Sequence, residues 1–247
     1  VLATLHGCIA QELTSFIENV RRQPYRPVFI CKGLAGLFYS YRITQKPLLR
    51  RAQRIVTVSR RVGEDLRTWY GPAVFDKCLT IYNGIDTSVF HPDERARDQI
   101  RRRYDILPHT VVLLTLGRLT HEKGHHILIE ALAILREKLP RIKLLIVGEG
   151  QNMGTLKKMA ERVSVADRVI FTGSVENRET PCFYNAADLF IFPTLTVEGL
   201  PIVLLEAMAC GQPVIASTIG GNHESICDRE DGILLNPGNA QLISDKI

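Results

Sequence analysis

The chain has 247 residues, 45% of them hydrophobic and 23% charged, with a formal net charge of +5 at pH 7. That composition fits an ordinary folded protein with room for one or two cored domains, and it excludes a disordered or low-complexity chain. No apolar run approaches the roughly 20 residues a spanning helix needs, no signal peptide is visible, and no nucleic-acid-binding motif accompanies the positive charge.

The chain opens at Val1 with an apolar strand, Leu2 to Leu5, that runs into a His6-Gly7 turn. Val28 to Ile30, Arg54 to Val58 and Leu79 to Tyr82 are further short strand candidates with helical patterns between them, so only part of a sheet is expected in this half. The abrupt start on Val, and an end at Gln241 to Ile247 just as a helix pattern begins, give the expectation of a longer protein extending past both ends. Six cysteines, at 8, 31, 78, 182, 210 and 227, are scattered without a C-x-x-C pair. That is the pattern of reduced, mostly buried thiols in a cytosolic setting. Arginines gather at 50, 51, 54, 60 and 61 and again at 97, 101, 102 and 103. Such a face is either simply solvated or able to hold an anionic lipid surface.

The second half alternates regularly. Strands are predicted near 111 to 116, 142 to 147, 168 to 172, 188 to 192, 213 to 216 and 232 to 235, with helices near 124 to 138, 152 to 162, 179 to 186 and 201 to 210. Strand, helix, strand at this spacing means parallel βαβ units and a doubly wound sheet. In such sheets ligands gather outside the carboxyl ends of the strands. His6, Gly117, Gly148, Gly173 and Glu198 each follow a predicted strand and are expected on that edge of their respective sheets.

Phe192 to Gly211, FPTLTVEGLPIVLLEAMACG, sets two carboxylates around a turn that enters a helix. Thr194 to Gly199 is too polar to continue a strand, Pro201 suits a first helical turn, and Gly211 with Pro213 stops the helix. Glu198 is therefore expected in the loop and Glu206 on the second helical turn. The free N–H groups of the loop and helix start suit an anion such as a diphosphate, and the two carboxylates suit hydroxyl donors such as a hexose and a ribose diol. Arg118 and Lys123, in GRLTHEKG, are cations near another helix start; alone they read as solvated loop residues. His121, His125 and His126 lack a partner cluster of Cys or carboxylates and read as surface histidines, and the chain has no Asp-x-Asp triplet. No metal site is expected.

The Glu198 to Glu206 segment resembles the Glu-x7-Glu signature of retaining glycosyltransferases of family four, the glycosyl transferases group 1, which have the two-domain GT-B fold. Tyr82 to Phe90 with His91 and Pro92 resembles that family's hinge segment, and Leu116 to Gly124 its diphosphate turn. Val147 to Gly150, Phe171 to Gly173, and Gly220 with Gly221 and Glu224 follow in the expected order, so the resemblance covers nearly all of residues 80 to 238. It implies an α/β chain of two Rossmann-like doubly wound domains, the N-terminal one incomplete. Residues 1 to 90 would be the C-terminal part of the acceptor-side domain plus hinge. Residues 91 to 247 would be the donor-binding domain without its C-terminal end.

The resemblance implies roles as well. Glu206 would bind the ribose hydroxyls, Glu198 the transferred sugar near its 3- and 4-hydroxyls, and Arg118 and Lys123 the diphosphate. Backbone groups around Gly199, Leu200, Ile202 and Val203, with Pro201 giving shape but no donor, would complete the grip on sugar and phosphate. The turn residues Gly117 and Gly148 would belong to the same site. Phe171, Thr172, Gly173 and Ser174 would read the base through backbone groups, and His6 would meet the donor sugar; the role of Glu224 stays open. The implied activity is hexose transfer from a nucleotide-diphosphate sugar to a glycan, lipid or small-molecule acceptor with retention, and without cofactor or metal. A cytoplasmic enzyme in peripheral contact with the inner face of a membrane agrees with the basic clusters, as does one with no membrane contact. The competing readings are a noncatalytic sugar-nucleotide-binding protein and an epimerase or phosphorylase on the same fold.

Overall fold

A computed structural model describes residues 2–5 and 45–247. They fall into two compact units. The smaller comprises Val1–Asn83 with Thr196–Pro201 and Gly220–Glu224; the larger comprises Gly84–Leu195, Ile202–Ile219 and Ser225–Ile247.

The larger unit is built on six parallel strands: β4 (Val111–Leu116), β5 (Ile142–Val147), β6 (Val169–Gly173), β7 (Leu189–Phe192), β8 (Val214–Ser217) and β9 (Ile233–Leu235). Their order across the sheet is β6-β5-β4-β7-β8-β9. The chain winds outward from β4 to β6, returns to the middle, and winds outward the other way from β7. This is the doubly wound order, and its topological switch point lies between β4 and β7.

Both faces of the sheet are covered, which is why its strands are almost wholly apolar rather than alternating with polar residues. Val112, Leu114, Leu145, Val147, Phe190, Phe192, Val214 and Ala216 point into one core layer, shared with Phe183, Tyr184 and Leu204. The residues between them, Leu113, Leu144, Ile146, Ile191 and Ile215, point into the other, shared with Ile127, Leu128, Leu132, Leu156 and Ile243. Each such side chain fully removed from water stabilises the fold by about 1.5–3 kcal/mol before entropy is counted.

The covering helices of this unit are α4 (Glu94–Arg103), α5 (His125–Leu135), α6 (Met153–Arg162), α7 (Thr180–Ala186), α8 (Ile202–Ala209) and α10 (Ala240–Ser244). α8 stops as its sequence predicts. Gln212 N–H donates to the Ala207 carbonyl and Gly211 N–H to that of Met208, the paired bonds of a Schellman ending.

No sequence pattern marked α4, because ERARDQIRRR carries only Ala96 and Ile100 as buried residues. Asp93 caps it, accepting from Arg95 and Ala96 N–H. One turn apart on α4, Arg97 and Arg101 grip the two carboxylate oxygens of Asp188, which also accepts from Val112 N–H at 2.7 Å. The same guanidiniums donate to the carbonyls of Asn185, Ala186 and Ala187 at the end of α7. Half of the second arginine cluster is thus internal structure rather than a membrane-facing or solvated face. Burial would raise the Asp188 carboxyl, but the Arg97 hydrogen bond, the Val112 N–H and both guanidinium charges outweigh it and hold it below its ordinary value.

In the smaller unit, β1 (Leu2–Leu5), β2 (Arg54–Thr57) and β3 (Cys78–Thr80) form a parallel sheet in the order β1-β2-β3. The strand predicted at Leu79 to Tyr82 began one residue late and ran two residues too far: β3 is a short edge strand whose Leu79 is exposed, so no alternation fixed its bounds. Helices α1 (Lys46–Arg51), α2 (Arg60–Tyr70), α3 (Pro72–Phe75) and α9 (Asn222–Ser225) complete the description, α9 straddling the division at Glu224. Leu49, Ile55, Leu66 and Val74 form the core here. The strand predicted at 28 to 30, and Cys8 and Cys31, lie outside the described residues. Cysteines 78, 182, 210 and 227 are free thiols; Cys210 is buried, Cys78 and Cys182 are half-buried and Cys227 is exposed, so the expectation of mostly buried thiols does not hold for these four. Among the described residues no helix is long and apolar enough to cross a membrane.

Candidate functional site

At the carboxyl end of the larger sheet the loops after β4, β5 and β6 lock to one another by backbone. Gly117 N–H donates to the Val147 carbonyl, Gly148 N–H to the Gly173 carbonyl, and Leu119 N–H to the Glu149 carbonyl. A side chain at Gly148 would put its Cβ 2.1 Å from the Gly117 carbonyl oxygen, so only glycine permits this approach. The β5–β6 register slips here: Ile146 faces Phe171 while Val147 faces Gly173, which bulges Thr172 out of the ladder. The Thr172 hydroxyl donates to the Gly173 carbonyl at 2.8 Å.

The loop from Gly117 to Gly124 also ties to the end of β7, across the switch point. Leu195 N–H donates to the Glu122 carbonyl at 2.7 Å. Gly124 (φ +73°) passes so close to β7 that a Cβ would lie 1.9 Å from the Pro193 carbonyl oxygen. The sequence candidates Gly117, Arg118, Lys123, Gly148, Thr172 and Gly173 therefore gather on one sheet edge. Arg118 is exposed, and the Lys123 ammonium stands 5.9 Å from the centre of the Phe192 ring.

His125 overturns the reading of three surface histidines: it is 2% exposed. Its Nε2–H donates to the Arg118 carbonyl at 3.2 Å, which leaves Nδ1 to accept from the Thr115 hydroxyl at 3.4 Å. Burial pushes its pKa down to about 4, with the Lys123 charge pushing the same way and the Arg118 carbonyl opposing. A neutral imidazole under the loop thus fixes the backbone that carries Arg118. His121 and His126 are part-exposed neighbours with ring centres 4.2 Å apart. Among the described residues no grouping of three or more His, Cys, Asp or Glu could hold a metal ion.

Glu206 stands on the second turn of α8, as expected, behind the N–H groups of Ile202 and Val203. Its Oε2 accepts from the Tyr184 hydroxyl at 2.7 Å. Burial raises its carboxyl, and the Tyr184 hydrogen bond opposes the rise. Sequence reading missed Tyr184; an aromatic in an apolar helix shortly before a strand carries no mark of a polar task.

The smaller unit holds the loop of Glu198, Gly199, Leu200 and Pro201. Gly221 N–H donates to the Glu198 carbonyl at 2.9 Å, and the Asn83 side-chain Nδ2 donates to the Leu200 carbonyl at 2.9 Å, so two carbonyls of the loop are held, one by backbone and one by a side chain. Pro201 lies one residue before the helix rather than in it. Glu224, whose role the sequence left open, caps α2: its two oxygens accept from Arg60 and Arg61 N–H, each at 2.8 Å, beside the Ser59 cap on Val62. Arg60, Arg61, Tyr82 and His223 line a cavity of about 420 Å³ next to it. His6 lies outside the described residues.

Comparison with known proteins agrees with this architecture. Residues 96–247 match the family model described as Glycosyl transferases group 1, and residues 1–89 the model described as Glycosyltransferase Family 4. The GDP-mannose-dependent alpha-(1-6)-phosphatidylinositol monomannoside mannosyltransferase of Mycolicibacterium smegmatis is 37% identical over 202 residues, covering 79% of this chain and 52% of that protein. The chain spans about half the length of the curated relatives it matches first. Among solved structures, HepE of Anabaena in complex with UDP and glucose superposes with a TM-score of 0.80 at 24% identity, covering 99% of this chain and 60% of that one. The C-terminal domain of LpcC, a glycosyl transferase group 1 family protein of Francisella tularensis, superposes with a TM-score of 0.59 at 30% identity, covering 66% of this chain and 85% of that one. With two Rossmann-like α/β units, a glycine-locked loop at the switch point, and a family model spanning more than half its length, this chain belongs to the glycosyl transferases group 1 family.

Proposed function

We propose that the protein containing this chain transfers a hexose from a nucleotide-diphosphate sugar to a glycan, lipid or small-molecule acceptor, with retention at the anomeric carbon. The observation that carries this reading is the cationic, glycine-locked edge at the switch point, where Arg118 and Lys123 sit on a loop braced by β5, β7 and the buried His125. Residues 91 to 247 serve as the donor side and residues 1 to 90 as the acceptor side.

The roles follow from chemistry. Arg118 and Lys123 hold the diphosphate and take up the charge that grows on it as the bond from the anomeric carbon to the phosphate oxygen breaks. The acceptor oxygen attacks on the face the leaving group vacates, and a phosphate oxygen takes the acceptor's proton. Glu206 accepts from the ribose hydroxyls and Glu198 from the transferred sugar. The N–H groups of Gly199, Leu200, Ile202 and Val203 complete the grip around Pro201. Gly117, Gly148, Thr172 and Gly173 frame the phosphates and base by backbone, and His6 is assigned to the sugar by family resemblance alone. Paired carboxylates of a glycosidase are a poor model, because one glutamate is committed to ribose.

A relative named for GDP-mannose and a phosphatidylinositol mannoside supports a lipid-linked acceptor as one class, with peripheral contact at the cytoplasmic face of a membrane. Calorimetric titration with UDP, GDP and ADP, without metal, tests the donor site. One nucleotide should bind, and binding should vanish in a folded Arg118→Ala/Lys123→Ala double variant. Equal affinity in that variant would overturn the assignment of the diphosphate site.

A further inference from the structure

Tyr184 is wholly buried, yet its hydroxyl reaches a carboxylate. Its ring is wedged edge-on against Phe190, with ring centres 5.3 Å apart, and against Phe90, at 6.2 Å. Close packing of the buried ring holds its O–H as a fixed donor rather than a mobile one. Among the described residues Glu206 receives that hydrogen, and it uses one oxygen, Oε2, to accept it.

We propose that Tyr184 is a positioning residue for the donor site: it anchors Oε2 of Glu206 so that Oε1 is presented to a ribose hydroxyl, and it thereby sets the site's preference for a ribonucleotide. The proposal rests on the reading of Glu206 as the ribose ligand. A carboxylate anchored at one oxygen loses less freedom when the other binds, so part of the cost of ordering is met by the fold.

The charge state supports the same geometry. Burial works to neutralise Glu206, and Tyr184 is the hydrogen bond that opposes this. Among the described residues, the thiol of Cys210 and the hydroxyl of Tyr184 itself both feel the Glu206 charge. Cys210 is pushed up to about 12 by burial, by Glu206 and by Cys182, and Tyr184 is pushed well above its ordinary value by burial and then by Glu206. Both therefore stay neutral at working pH. Without the tyrosine O–H the Glu206 carboxyl takes up a proton at higher pH.

The test is Tyr184→Phe, which keeps the ring and its packing, beside Glu206→Gln. Calorimetry compares UDP, GDP and ADP with the 2′,3′-dideoxy form of whichever binds. Tyr184→Phe should weaken the ribonucleotide about tenfold and leave the dideoxynucleotide unchanged, with the acid limb of binding moved to higher pH. A wild-type ribose preference in Tyr184→Phe, with that preference lost in Glu206→Gln, overturns the role of Tyr184 alone. A wild-type preference in both variants overturns the ribose assignment of Glu206. Carbon-13 titration of the Glu206 carboxyl without nucleotide reads the anchoring directly. Its midpoint should rise in Tyr184→Phe, and an unmoved midpoint would count decisively against the proposal.

Discussion

The two ends of the β4–β7 strand pair both carry cations, and they use them in opposite ways. At the amino end, Arg97 and Arg101 meet a carboxylate, Asp188, and four carbonyls, including those that end α7 and that of Thr110; little of their hydrogen-bonding capacity is left for a ligand. At the carboxyl end, Arg118 stands exposed, and among the described residues it has no carboxylate partner. The loop that carries it is nonetheless rigidly braced, by glycine contacts to Gly148 and Pro193 and by the His125 ring. Residue type is the same at both ends. What separates a structural cation from a binding one is whether the fold supplies its counter-charge, and the braced loop on which Arg118 stands exposed is the one suited to an anion from outside.

Substitutions at the two ends should therefore separate activity from stability. Lys123→Ala should lower turnover by about 10² to 10³, the size of losing one fixed donor at a developing charge, while thermal stability barely moves. Steady-state kinetics and a melting curve on the same preparation decide this. Asp188→Ala should do the reverse. Two part-buried guanidiniums and the Val112 N–H lose their partner, at about 3 kcal/mol of stability by denaturant titration, with nucleotide affinity of the remaining folded protein unchanged. A loss of affinity there, equal to that in Lys123→Ala, would erase the distinction between the ends.

Acid probes the brace under Arg118. His125 is held near 4 when folded, below the ordinary 6.5, so the unfolded chain takes the proton first. Stability is then full above about pH 6.5 and falls as pH drops towards 4, by at most about 3 kcal/mol, levelling off below. His125→Gln, which keeps a donor but does not titrate, should flatten the slope in that window; an unchanged slope would assign it to other groups. The smallest effect is expected from Gly124→Ala. A Cβ facing the Pro193 carbonyl, at positive φ, should cost about 2 kcal/mol and shift the loop, seen as weaker nucleotide binding.

Much of the sheet was legible in advance. β4 and β5 fall on the predicted residues because a strand buried on both faces must be a continuous apolar run, which is easily seen. Glu206 on the second helical turn and Glu198 in the loop before it followed from Pro201, Gly211 and the polar turn. Other features were not legible for definite reasons. α4 is nearly all charge, so its helical face shows only when Asp188 is brought to it. His125 sits among apolar residues of α5, and its burial depends on Thr115 and the Arg118 carbonyl folding over it. Glu224 became a helix cap only because the start of α2 at Arg60, 164 residues away in sequence, is brought beside it.

By itself, then, the sequence determined the alternation of strands and helices, the glycine turns and the family they belong to, because periodicity and backbone conformation are local properties. Tertiary structure alone decided which arginines are consumed internally, which histidine is neutral, and which hydroxyl holds Glu206. Those outcomes depend on burial and on partners far away in the chain, and the cost of leaving a buried charge or hydrogen-bonding group alone is felt only once the fold has closed around it.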